Sequence, residues 1–404
     1  MVEAANWPAW RGPGGNGVAQ GEPPRELEGK LLWKTELPGR ACSTPVVWDQ
    51  TIFVTAPIGE EDGVVALDGD GKERWRQSFG KATPGRGQRV GSSANSSPIV
   101  DGDGVVAYFK SGNVVGLTHA GEKLWEVNLQ AKYGEDKLWW DQGTSPVFAG
   151  GNVVIAVMQT EGDSYLVSLD RKTGKEVWMT PRDYPSPTET GDAYTTPHVV
   201  TIDGVETVVT WGADHLTGHD AKTGKLLWDC GGFNPKNAKM WRVIASAVVE
   251  DGIAVVPYAR GEQLGGVRVG GKGDVTKSNW LWKKSDVGAD AVSPVMHEGK
   301  VYVLTGTGGK RGTVTCLDAA TGEKQWSDRL PKAAQVFYAS PLIVGDRFYC
   351  VREDGHVFSA TLGSKGLEEV SGFELGEGAI ASPISVAGKL LIRGDKHLFC
   401  FGAK

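Results

Sequence analysis

Thr44-Pro45-Val46, Ser97-Pro98-Ile99, Ser145-Pro146-Val147, Thr196-Pro197, Ser246-Ala247-Val248, Ser293-Pro294-Val295, Ser340-Pro341-Leu342 and Ser382-Pro383-Ile384 are copies of one phrase: a hydroxyl residue, usually Pro, then an aliphatic residue. Their spacing, between 42 and 53 residues, is that of a solenoid or propeller built from one repeated unit. After each copy comes an apolar run, an Asp/Gly turn and a second apolar run, as in Pro98-Ile-Val-Asp101-Gly-Asp-Gly104-Val-Val-Ala-Tyr-Phe109, which reads as a hairpin. A third strand then enters a Gly turn and emerges at Trp, as in Leu169-Asp170-Arg-Lys-Thr173-Gly174-Lys-Glu-Val-Trp178. Asp caps such a turn with its carboxylate, and Gly supplies the positive φ.

Four antiparallel strands cannot bury both faces alone, so each unit must stack on two neighbours until a ring closes. The eighth Ser-Pro is followed by enough chain for three strands only, ending Leu398-Phe399-Cys400-Phe401, while an orphan Trp-bearing strand, Lys30-Leu-Leu-Trp33-Lys-Thr-Glu-Leu37, precedes the first. The expected fold is therefore all-β, an eight-bladed propeller whose last blade is completed by the N-terminal strand. Residues 1–29 form an N-terminal extension and residues 30–404 one domain. Seven of the 15 Trp occupy the post-turn position: Trp33, Trp75, Trp125, Trp178, Trp228, Trp282 and Trp326. In blade 7 the Trp position is lost near Val370.

The Leu-Asp-x-x-Thr-Gly-Lys-x-x-Trp phrase resembles the tryptophan-docking repeat of pyrroloquinoline-quinone-type (PQQ-like) propellers, over about residues 30 to 401, and the chain is similar to exported BamB-like propellers of that superfamily. The opening Asn6-Trp7-Pro8-Ala9-Trp10-Arg11-Gly12-Pro13 resembles the mature start of exported bacterial members. The resemblance implies a periplasmic or secreted protein whose signal has been removed. No Cys precedes Cys42, so a soluble form is expected.

Composition narrows the partners. A net charge of −6 without a Lys/Arg block argues against nucleic acid, and no apolar stretch is long enough to span a membrane. The five cysteines, Cys42, Cys230, Cys316, Cys350 and Cys400, are dispersed and odd in number, which suits buried thiols better than a disulfide framework. Three local patterns fail in context. Gly12-Pro-Gly14-Gly-Asn-Gly17 follows no strand. Gly266-Val-Arg-Val-Gly-Gly271-Lys272 lacks the Ser/Thr that would hold magnesium, and reads as a long hairpin in an irregular blade 5. Asp68-Gly-Asp70-Gly-Lys-Glu73 aligns with the docking turn and not with a calcium loop. No metal site is expected.

Function is carried by the loops that feed each innermost strand, because a ring brings them together at the channel mouth. They contribute Arg40, Asn95, Trp139, Trp140, Asp141, Gln142, Asp192, Tyr194, Trp241, Arg242, Asp290 and Tyr338, a set in which aromatic faces alternate with carboxylates and guanidinium groups. Such a set suits a sugar, a peptide or a planar cofactor; its bland counterpart is a plug of rings with charges paired internally. Lys110, Arg260, Lys310, Arg311, Arg352, Arg393 and Lys396 fall on hairpins of the same face and read as a solvated basic rim. The expectation is a non-catalytic, monomeric, cofactor-free scaffold for a protein or glycan. The alternative implied by the superfamily is an alcohol dehydrogenase using PQQ and calcium with an Asp base. Against it stands the absence of the adjacent cysteine pair that family dehydrogenases carry. A hydrolase or lyase working through Asp141 and Asp192 is a third reading.

Overall fold

A ring of eight antiparallel sheets follows from the repeat, and the computed structural model, which describes residues 6–86 and 90–403, places them in sequence order. Each blade begins with a short innermost strand, Val46–Trp48 in blade 1, Ile99–Asp101 in blade 2, Val147–Ala149 in blade 3, and so on to Ile384–Val386 in blade 8. Middle strands such as Val153 to Val157 and Tyr165 to Leu169 are buried on both faces between neighbouring blades, so they are mostly apolar instead of alternating. Outer strands alternate, with Trp inward and charge outward.

Closure is as the chain ends imply. Leu31–Glu36 lies antiparallel against His397–Phe401, with Leu31 opposite Phe401 and Trp33 opposite Cys400. Both ends are thereby paired, and no blade edge is left to template another chain at the seam.

The docking tryptophans work across blade boundaries. Trp33 Nε1 donates to Gly69 O (3.1 Å), Trp75 to His119 O (2.9 Å), Trp125 to Arg171 O (2.9 Å), Trp178 to Ala221 O (3.2 Å) and Trp282 to Ala319 O (2.9 Å), each acceptor lying in the next blade's turn. The turn Gly is needed twice over: Gly174 sits at φ +67°, and a Cβ there would lie 2.5 Å from the Trp125 ring. Where the turn is lost the bond is lost too. Blade 5 replaces it with an insertion, in which Gly273–Asp274 pairs with blade 4's outer strand and Thr276–Asn279 makes one helical turn, and Trp228 Nε1 is buried without an acceptor. In blade 7, Val370 stands exposed on the outer strand Leu367–Glu374.

Opposite each docking Trp the third strand carries a small residue: Ala66, Gly116, Ser168, Gly218, Gly266, Cys316 or Cys400. A Cβ on Gly218 would meet the Trp228 ring at 2.2 Å, so bulk is excluded there. Two cysteines are thus explained as small apolar fillers. Among the described residues all five are free thiols, and only Cys42 is not fully buried.

Residues 6–29 lie against the ring. Trp7 bridges to Val47, Pro8 O accepts from Val100 N, Ile343 N donates to Gly17 O, and Val18–Ala19 adds a parallel strand to blade 7. Trp7, Arg11 and Leu27 are buried by this path, which runs from blades 1 and 2 beneath the channel to blades 6 and 7. Arg11 donates to Pro294 O (2.6 Å), Asn16 O (2.7 Å) and Ser293 O (3.2 Å). Burial without a carboxylate lowers its pKa to about 9.

Candidate functional site

The Ser/Thr of the repeat is chosen for a bond that only the closed ring reveals. Thr44 N donates to Ser97 Oγ, Ser97 N to Ser145 Oγ, Ser145 N to Thr196 Oγ1, Thr196 N to Ser246 Oγ, Ser246 N to Ser293 Oγ, Ser293 N to Ser340 Oγ and Ser340 N to Ser382 Oγ, every one at 2.9 or 3.0 Å. Each of blades 1 to 7 hands this amide to the next blade's hydroxyl. The following Pro has no N–H to place and holds φ for the start of the strand. The result is a collar of eight hydroxyls around the axis.

All eight collar residues line one cavity of about 280 Å³. Its floor includes Trp10, which the N-terminal segment carries beneath the channel. Its upper wall takes Asn95, Trp140, Asp141, Tyr194, Arg242, Asp290 and Tyr338 from the blade-entry loops, together with Arg86 and Cys42. Seven of the twelve residues expected at the mouth therefore converge.

The other five are elsewhere, for reasons the geometry makes plain. Arg40 turns outward to Asp395 (2.9 Å) and Gly91 O (2.8 Å). Gln142 donates to Ser96 Oγ (2.7 Å) at the entry of blade 2 and to Thr144 O (2.6 Å) at that of blade 3. Asp192 is a loop clasp, accepting from Thr160 N (2.6 Å) and Trp139 N (3.0 Å). Trp241 packs on the apolar core between blades 4 and 5 while its amide donates to Thr190 Oγ1 (3.1 Å). Trp139 is 60% exposed on the rim.

Charge at the mouth is partly paired within. Asp141 takes a buried ion pair from Lys110 and the amide of Arg86 (3.1 and 3.2 Å). Lys110, expected on a solvated rim, is therefore interior. So are Arg352, held by both oxygens of Asp354 (2.8 and 2.9 Å), and Arg393, which donates to Ser43 and to Thr55 O. Arg242 is looser. Its Nη2 stands 3.5 Å from Asp290 and its Nε 3.7 Å from Glu189, its guanidinium lies 5.8 Å from the Trp140 ring centre, and its Nε and Nη1 have no hydrogen-bond partner. Burial raises the pKa of Asp290, opposed by Arg242. Burial also raises that of Tyr194, whose hydroxyl accepts from Trp140 N (2.9 Å).

These donors do not fit a quinone held over calcium. Asp141 and Asp192 are already satisfied by backbone amides and Lys110, and among the described residues no group of three or more His, Cys, Asp or Glu is placed to hold a metal ion. Sequence reasoning missed Trp10, Glu189 and Arg86, which lie in unrepeated segments. It also treated the collar as an anchor when the collar is in fact lining. The hydroxyl chemistry of a strictly repeated Ser/Thr was the available signal.

A sequence profile described as outer membrane protein assembly factor BamB matches residues 26–189, 119–277 and 273–372. The BamB of Burkholderia pseudomallei (strain K96243) is 26% identical over 332 residues, covering 82% of this chain and 76% of that protein. BamB from Moraxella catarrhalis superposes with a TM-score of 0.63 at 16% identity, covering 92% of this chain and 99% of that one. Quinohemoprotein alcohol dehydrogenase from Comamonas testosteroni superposes at 0.71 with 13% identity, over 98% of this chain and 80% of that one. A europium-containing methanol dehydrogenase does so at 0.72 with 12% identity, over 100% and 99%. At these identities the superpositions report fold alone.

Proposed function

We propose a binding role from one premise: the chain belongs to the family of outer membrane protein assembly factor BamB. The reading is a non-catalytic propeller, acting outside the cytoplasm without a cofactor, that docks a protein of outer-membrane assembly on its mouth face. No helix among the described residues is long and apolar enough to cross a membrane.

One observation carries the choice of face. Trp139 and Met240 are exposed (60% and 41%), yet their backbones are pinned to one segment: Trp139 N to Asp192 and Met240 N to Thr188 O (2.8 Å). Trp and Met are enriched at protein interfaces, and a pre-held loop loses little freedom on docking. Asp141 and Asp192, two carboxylates that a dehydrogenase or hydrolase could use as a base, are engaged in holding these same loops.

A photo-crosslinking residue at position 139, in the native host, tests the reading. One dominant adduct with an outer-membrane assembly protein, lost in Met240→Asp, is the expected result. Diffuse adducts, or an adduct indifferent to Met240, would refute the site. Saturable calcium-dependent uptake of PQQ by the purified protein, followed by absorbance and thermal shift, would refute the cofactor-free reading.

A further inference from the structure

The basic residues expected on the rim divide in two. Lys110, Arg352 and Arg393 turn inward to partners within the ring. Lys310 and Arg311 instead stand on the hairpin of blade 6, between Lys300–Thr305 and Thr313–Asp318, and Arg329 and Lys332 join them where the chain leaves that blade's outer strand. The hairpin tip protrudes, since a Cβ on Gly308 or Gly309 would meet nothing within 4 Å. Lys310, Arg329 and Lys332 are exposed and Arg311 is half-buried. Lys310 Nζ donates to Asp286 O (2.8 Å) and Arg311 Nη1 to Ala334 O (2.9 Å). Arg329 Nη2 donates to Gly309 O (3.2 Å) and Arg311 O (3.0 Å), and its Nε to Arg311 O (3.2 Å).

Carbonyls fix these cations in place without neutralising them. The carboxylates of the neighbourhood are turned elsewhere: Asp286 reaches Lys324 (3.9 Å), Asp328 accepts from Arg329 N (2.7 Å) and Leu367 N (3.0 Å), and Glu353 accepts from Val336 N (3.1 Å). Among the described residues none of them forms an ion pair with Lys310, Arg311, Arg329 or Lys332. Side chains already held lose little freedom when a partner arrives, and an Arg tied through Nη1 keeps its Nε–Nη2 edge for a bidentate carboxylate. The exposed large apolar side chains all lie outside residues 307–335, so nothing on this hairpin would insert into a bilayer. We infer that the blade 6 rim receives an acidic segment, rich in Asp or Glu, of the protein that docks on the mouth face. The inference rests on the docking reading and adds to it the chemistry of the partner.

The test is titration of the full chain with a fluorescein-labelled peptide of Asp and Glu and with its Asn and Gln counterpart, read by anisotropy at low and at physiological ionic strength. Saturable binding of the acidic peptide alone, weakened by salt, is expected. Lys310→Glu combined with Lys332→Glu should weaken it about tenfold or more, because like charges then face each other. Arg311→Gln should weaken it as well, and decides the matter if the double variant does not fold. Lys236→Glu combined with Lys239→Glu, at exposed cations of the blade 5 entry loop, should change it less than about twofold. Met240→Asp should leave it unchanged, so the adduct at position 139 and the acidic contact fail separately. Absence of saturation, equal weakening by the two double charge reversals, or binding to phosphatidylglycerol vesicles but not to the peptide would overturn the assignment.

Discussion

Trp178→Ala should destabilise the protein by about 3 kcal/mol, the lower end of the range for deleting a large buried aromatic. The side chain is 9% exposed, its Nε1 reaches Ala221 O at 3.2 Å, and its ring fills the space over Gly224, where a Cβ would lie 2.5 Å away. Removing the indole opens a gap between blades 3 and 4 that glycine cannot fill. Thr180 Oγ1, bonded to Gly224 O at 2.9 Å, keeps the turn from collapsing inward. Trp178→Phe separates the two contributions: it keeps most of the packing and loses the N–H, for about 1 kcal/mol. Trp228→Phe is the control, because its Nε1 has no acceptor to lose, and should cost less than Trp178→Phe. Urea unfolding followed by circular dichroism and fluorescence measures all three. A loss under about 1 kcal/mol for Trp178→Ala, with an unchanged m value, would refute the account of blade-to-blade docking.

Two further outcomes follow from buried charge. Lys110→Met leaves the buried Asp141 carboxylate without its cation and with only the Arg86 amide, and should cost about 3–5 kcal/mol in the same assay, with Asp141→Asn in that background recovering part of the loss. His198 is buried beside Gly15 and Arg11, and desolvation, reinforced by Arg11, lowers its pKa to about 4. The unfolded chain therefore binds the proton first, so this residue's contribution is intact above pH 6.5 and is lost as pH falls toward 4, by at most about 1.4 kcal/mol per pH unit. His198→Gln should flatten the stability profile in that window; an unchanged slope would show that His198 is not shielded.

The blade count, the docking turns and the seam were legible because each is written many times or at both ends. A repeated Ser-Pro and a repeated Gly-Lys-x-x-Trp report local geometry that every blade must share. The mouth was half legible for the opposite reason. Asp192 and Arg242 occupy the same position in successive blades, yet one bonds two amides of its own neighbourhood and the other faces the axis. Nothing periodic distinguishes them, since the difference lies in loops of unlike length. Lys110 looked like rim because its partner, Asp141, lies a blade away. Trp10 and Arg11 precede the first repeat and have no counterpart to be aligned with. Cys316 and Cys400 were correctly taken as small hydrophobes, and the strand register now shows why bulk is forbidden there.

The seam between Leu31–Glu36 and His397–Phe401 has a consequence for biosynthesis. Leu31–Glu36 is made before the first full blade and pairs with the last strand made, so throughout synthesis and any export step the nascent chain carries an unmatched strand and an open blade face. Contacts so distant in sequence form slowly, and open strand edges invite association with other chains in the meantime. Yield of this protein will therefore depend on whatever shields its N-terminal strand until the C-terminal residues arrive. A circular permutant that joins residues 401 and 31 and opens a loop on the mouth face would fold with its seam already made.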